Sequence, residues 1–136
     1  MINYLLTLVG IGIIIPIDII YLYLNKNFYS KIIDPNEKIN WIYAITTWLL
    51  IVISIQLLVL SQSDNTLNKS FINGILLGLA MYGVYNLTSA SVYPSKWDNK
   101  IIIGDTVWGM SLVGFVSLVL YQIQQSNNIF SDITIE

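Results

Sequence analysis

Asp18 and Asp105 are the residues of this chain best placed to do chemistry. Each stands inside an apolar run, Asp18 in IIIPIDIIYLYL and Asp105 in IIIGDTVWGMSLVG. A carboxyl at the centre of a membrane-spanning helix costs roughly 2.5–3.5 kcal/mol on insertion scales, so a chain that retains two must give them partners or water. Such a pair can grip the polar part of a ligand, take up and release protons, or serve as acid and base. Much of the usual catalytic inventory is missing. The chain has no His and no Cys, which excludes His- or thiolate-held zinc and the common serine and cysteine hydrolase arrangements. No metal and no cofactor are expected, no residue is assigned a catalytic role, and the reading leans away from an enzyme.

The elements that position these carboxyls follow from composition. Of 136 residues, 55% are hydrophobic and 10% are charged, against about 25% charged residues in a soluble domain. Mean hydropathy is +0.68. The length suits one domain, read here as a single integral membrane domain over residues 1–136. With a net charge of −2 and no Arg, there is no basic surface for nucleic acid, which is not expected as a partner. Residues 3–24, 41–61, 70–90 and 101–123 each reach the ~20 mainly apolar residues that a spanning helix needs. The connections NKNFYSKIIDPNEKIN, QSDNTLNK and SVYPSKWDNK separate them. Such short connections make neighbours antiparallel, so the expected fold is an all-α, up-down bundle of four transmembrane helices in a lipid bilayer. No basic residue precedes the first stretch and no small-residue cleavage site follows it, so it reads as a retained helix.

Lysines orient the bundle. Lys26, Lys31 and Lys38 lie in the first connection and Lys96 and Lys100 in the third, with only Lys69 in the second. The positive-inside rule puts the first and third connections in the cytoplasm and both termini outside. Trp41, Tyr43, Tyr93 and Trp97 flank helix ends and read as an interfacial aromatic belt.

Counting rise along the helices, Asp18 is ~9 Å inside the end of the first and Asp105 ~7 Å inside the start of the fourth. Asn86 falls at a similar depth near the end of the third. Three helices therefore bring a polar residue to one level. At 100° per residue, Gly74, Gly78, Tyr82, Tyr85, Asn86 and Ser89 share one third of the third helix, while Leu76, Leu77, Ala80, Val84 and Leu87 point to lipid. Gly74 and Gly78 form G-x-x-x-G, a close-approach motif that could also join copies of the chain into a homo-oligomer. Asp105, Trp108, Gly109 and Leu112 share a face of the fourth helix. Asp18 and Tyr21 are one turn apart, and Pro16 just before them can loosen the backbone. The second helix contributes only Thr46, Thr47 and Gln56, with Gln56 towards the other leaflet. The candidate site is thus Asp18, Tyr21, Tyr82, Tyr85, Asn86, Asp105 and Trp108, with Gly74, Gly78 and Gly109 as packing positions. The plainer alternative is that the carboxyls merely tie helices together, although interhelical hydrogen bonds average only ~0.6 kcal/mol in membranes. Gly104-Asp105 also matches the Gly-Asp pair of intramembrane aspartyl proteases, but two residues in a four-span chain are too short a match to carry that assignment.

The motif YGVYNLT at residues 82–88, GDTVWG at 104–109 and the segment IDIIYLYLNKNFYSKII with its Phe28-Tyr29 pair together resemble the membrane-protein family known as domain of unknown function 2177. The resemblance covers nearly the whole chain and implies a small four-helix membrane protein. The family's tyrosine-rich motif usually reads Y-D-L-T, and Asn86 stands where that Asp would be. A role needing a third carboxylate is therefore not available here, whereas one needing a hydrogen-bonding group is.

Four functions compete. Aromatic side chains with a few convergent polar groups suit a pocket for a small amphiphilic or hydrophobic molecule, such as a lipid, and this is the leading expectation. A cavity beside Asp105, open to lipid or cytoplasm, is its signature. A proton or ion pathway is second, weakened by the scarcity of polar groups in the outer leaflet, where only Gln56 and Asn73 stand out, and by the absence of an inverted repeat. A structural subunit assembling through Gly74 and Gly78 ranks beside it. An interfacial enzyme using Asp18 and Asp105 is last.

Overall fold

A polar side chain opens each of the four helices by accepting hydrogen bonds from their free N–H groups. In α1 (Tyr4–Leu24), Asn3 accepts from the amides of Leu5 and Leu6. In α2 (Trp41–Ser54), Asn40 accepts from those of Ile42 and Tyr43. Thr66 caps α3 (Leu67–Val92) through the amide of Lys69. Asp98 Oδ1 caps α4 (Asn99–Ile133) through the amide of Ile101 at 3.0 Å. The caps explain why α3 starts before the apolar stretch expected from residue 70, with Asn68 and Lys69 forming a polar first turn. The structure, a computed structural model, describes residues 2–32, 34 and 36–133, with side chains described as far as residue 126.

The second span departs from its expected α geometry. Past Ser54 the chain continues as a π segment, Ile55–Leu60. The wider turn keeps Ile55, Gln56, Val59 and Leu60 all buried on a narrower arc than an α-turn would allow. Polar side chains satisfy carbonyls at this helix end: Ser61 donates to the Gln56 oxygen at 2.7 Å and Asn65 to that of Val59 at 3.0 Å. α1 runs unbroken through Pro16.

All four helices are long and apolar enough to cross a membrane. Large apolar side chains face outward on each, among them Leu8, Ile42, Leu76 and Ile103, an exposure that a soluble monomer would not sustain. The inner face holds an apolar cluster around Ile14, Val52, Ile55, Leu112, Val113 and Val116. α3 and α4 form the tightest pair. A Cβ on Gly74 would lie 2.9 Å from Gly114 Cα, and one on Gly78 would lie 2.5 Å from the Gly109 oxygen. Gly109 is itself covered by the Tyr82 ring. The G-x-x-x-G face is thus filled from within the chain by α4. Leu77 also departs from its expected place in lipid and packs against the core.

α2 packs against α1, but meets α3 and α4 chiefly through the π segment at its far end. Its first three turns lean away from α3. This opening faces the level of Asp18 and Asp105.

Candidate functional site

Asp18 leaves α1 one turn before Tyr21 and meets two indoles. Trp48 Nε1 of α2 donates to Asp18 Oδ2 at 2.9 Å, and Trp108 Nε1 of α4 donates to Oδ1 at 2.9 Å. An indole N–H can only donate, so both oxygens act as acceptors. Three helices converge on this one carboxyl. Trp48 corrects the expectation that α2 offers only Thr46, Thr47 and Gln56. Its ring is buried, and its spacing from the apolar residues Ile51, Val52 and Ile55 reads as core, which is why its polar edge escaped notice.

Asp105 is held from the other side. Asn86 Nδ2 donates to Oδ2 at 2.8 Å, and the Tyr29 hydroxyl donates to Oδ1 at 2.6 Å. Asn86 is 1% exposed. Its amide also donates to the Tyr82 carbonyl at 2.9 Å, and its carbonyl accepts from Trp97 Nε1 at 2.9 Å. Trp97 is thus half-buried and bonded into this cluster, while Trp41, Tyr43 and Tyr93 are exposed. Tyr29 comes from the first connection, whose polar composition reads as surface loop, yet the residue is 5% exposed. Neighbouring Phe28 presses on Gly104, where a Cβ would lie 2.7 Å from its ring. The connection thus folds back over the bundle end. Burial, with the bond to Asp105 second, pushes the Tyr29 phenol well above its ordinary range, so it remains a donor through neutral pH.

The two carboxyls are linked through aromatic rings. Tyr21 stacks on Trp108 with centroids 3.7 Å apart and planes 3° from parallel. Its hydroxyl lies 3.3 Å from that of Tyr29. Lys31 pairs with Asp98 Oδ2 at 2.8 Å, which ties the first connection to the third.

Seven candidate residues were expected to converge, and the structure gathers them at one end of the bundle. Asp18, Tyr82, Tyr85 and Asp105 line a cleft of about 510 Å³ between α1, α2 and α3, with Leu22, Leu50, Ile51 and Met81 among its apolar walls. Asn86 lines a second chamber of about 170 Å³ with Tyr29 and Trp97; the two chambers share Leu22, Tyr85 and Asp105. Tyr21 and Trp108 do not line it: Trp108 bonds Asp18, and Tyr21 stacks on Trp108. Tyr85 sits at the rim, 56% exposed, edge-on to Trp97 at 6.0 Å. Among the described residues, no cluster of three or more His, Cys, Asp or Glu could hold a metal.

The opposite end carries more polar contacts than expected. Gln56 accepts from the Asn3 amide at 2.8 Å and donates to Thr7 at 2.8 Å, Ser70 donates to Asn65 at 3.0 Å, and Tyr121 reaches the Asn65 carbonyl at 3.3 Å. These bonds tie helix ends together.

Four apolar helices around a polar cluster at one bundle end define an integral, multi-pass membrane protein. A family model described as "Predicted membrane protein (DUF2177)" matches residues 1–122. The chain belongs to that family. No curated protein and no solved structure matches it.

Proposed function

We propose that the protein binds a small amphiphilic molecule in the cleft between α2 and α3. The observation that carries this reading is the cleft itself: about 510 Å³, bounded by apolar side chains, with Asp18 and Asp105 both on its wall. That volume falls within the ~300–1,000 Å³ of ordinary ligand sites, and a few polar groups on an apolar lining are what orient a ligand. The splayed start of α2 gives a lipid-dissolved molecule a sideways route in. The preformed hydrogen bonds to both carboxyls keep the polar end of the site in place before any ligand arrives.

A proton or ion pathway has less support. The middle of the bundle is closed by Ile14, Val52, Ile55, Val113 and Val116, each at 0% exposure. The polar groups at the Gln56 end do not reach the Asp18 level.

The lysine distribution favours the cleft lying in the cytoplasmic leaflet, with both termini outside. Because the chain has no Cys, cysteines introduced at Ser30 and at Gln62 report sidedness directly. A membrane-impermeant maleimide added to intact cells should label position 62 and not 30; the reverse pattern refutes the orientation.

Native mass spectrometry of gently extracted protein tests binding. A defined small-molecule adduct on the wild type that disappears in Leu50→Trp, which fills the cleft, is the expected result. Adducts that persist unchanged in a folded Leu50→Trp protein place any ligand elsewhere and overturn the reading.

A further inference from the structure

The lining of the cleft specifies more than an amphiphile. Its two charged residues are both carboxyls, and no Lys is among its lining residues. The ion pairs formed by the described residues, Lys31 with Asp98 and Lys69 with Asp64, lie outside it. Every protein group bonded to these carboxyls is a neutral donor: Trp48 and Trp108 on Asp18, Tyr29 and Asn86 on Asp105. A carboxylate has about four lone-pair sites, so each retains acceptor capacity after its two bonds. An anionic head would meet two like groups in a medium of low dielectric, where repulsion is strong. A bare metal ion would want a shell of about six to eight oxygens, and beyond the two carboxyls the lining offers only the hydroxyls of Thr47, Tyr82 and Tyr85 among Leu, Ile and Met side chains.

We propose that the molecule bound in this cleft is a cationic amphiphile, with an ammonium head between Asp18 and Asp105 and an apolar chain running outward past Leu50 and Met81. This rests on the cleft being a binding site, as argued above. The head gains charge-assisted hydrogen bonds or, if quaternary, simple ion pairing. The rings of Tyr82 and Tyr85 at the wall add attraction for a cation. The chain lies where α2 leaves α3 uncovered, so its far end stays in the hydrocarbon.

The test uses the full chain in phosphatidylcholine nanodiscs and three probes that share a dodecyl chain but carry a trimethylammonium, a maltoside or a sulfate head, each below its micellar concentration. The ammonium probe is expected to bind at least about tenfold more tightly than the maltoside, with the sulfate weakest. Asp18→Asn and Asp105→Asn should each bring the ammonium probe down to the maltoside's level, and Leu50→Trp should abolish binding of all three. Equal binding of the three heads, all lost in Leu50→Trp, overturns the cationic assignment while leaving the cleft as a site. Binding insensitive to Leu50→Trp, or none at all, overturns both. If either Asp variant fails to fold, the ranking of the three heads on wild-type protein still decides.

Discussion

Tyr29 and Asp105 are separated by 76 residues in sequence, and their side chains meet at 2.6 Å. The contact joins a polar connection to the second turn of a spanning helix and is, among the described residues, the only bond from that connection onto a candidate site carboxyl. Tyr29→Phe removes the donor and little else. We expect it to lower stability by about 1–3 kcal/mol, the usual cost of leaving a buried hydrogen-bonding group without its partner. Tyr23→Phe, at a residue 71% exposed, should change nothing. Unfolding curves of both variants in one detergent check this, and equal curves would show that the Tyr29 bond is not formed.

Trp48 and Trp108 share Asp18. Replacing either indole by Phe leaves one Asp18 oxygen without its protein donor, again at about 1–3 kcal/mol. Groups in one hydrogen-bond network couple by about 0.5–3 kcal/mol. The Trp48→Phe cost measured in wild type and in Asp18→Leu should therefore differ by an amount in that range. An unchanged cost would mean that Trp48 contributes packing alone.

Gly78 and Gly12 make opposite predictions. A Cβ on Gly78 would lie 2.8 Å from Met110 Cα as well as against the Gly109 carbonyl. Backbone cannot step aside as a flexible side chain can, so Gly78→Ala must spread α3 from α4 at about 1–3 kcal/mol. Around Gly12 there is nothing within 4 Å. Gly12→Ala should be neutral or stabilising by up to about 1 kcal/mol, through the better helix propensity of Ala. Parallel thermal unfolding of the two variants suffices, and equal shifts would refute the close approach of α3 and α4.

The link between the first and third connections should open in acid. The Lys31 ammonium bonded to Asp98 holds that carboxyl below its ordinary range. A depressed folded value means the contribution is fully present above the unfolded pKa of about 3.9 and is lost as pH falls through the lower folded value. Spin labels on cysteines introduced at Ser30 and Ser95 should give one narrow distance distribution at pH 7 and at pH 5, broadening only in stronger acid. Asp98→Asn should broaden it at every pH. Asn still caps a helix start well, so α4 itself should survive, separating the two tasks of Asp98. A narrow distribution in Asp98→Asn would show that the ion pair does not hold the connections together.

Hydropathy and helical rise are local quantities, and they determined much of this protein. They placed four spanning helices in order and set Asp18, Asn86 and Asp105 at one depth. They also put Gly74 and Gly78 on a packing face. The tertiary structure alone decided which donors reach the carboxyls. Tyr29 reads as part of a loop, Trp97 as interfacial belt, and Trp48 does not stand out in its apolar run, because a phenol or an indole has an apolar body suited to any of these places and a polar edge that shows its use only when its neighbour is known. The partner of the glycine face was likewise undecided, since close packing of α3 on α4 and of one copy on another call for the same small residues. The cleft was the least legible feature. It exists because α2 holds to α1 and reaches α3 chiefly through the π segment at its far end, and that divergence is a relation between whole helices, carried by no single stretch of sequence.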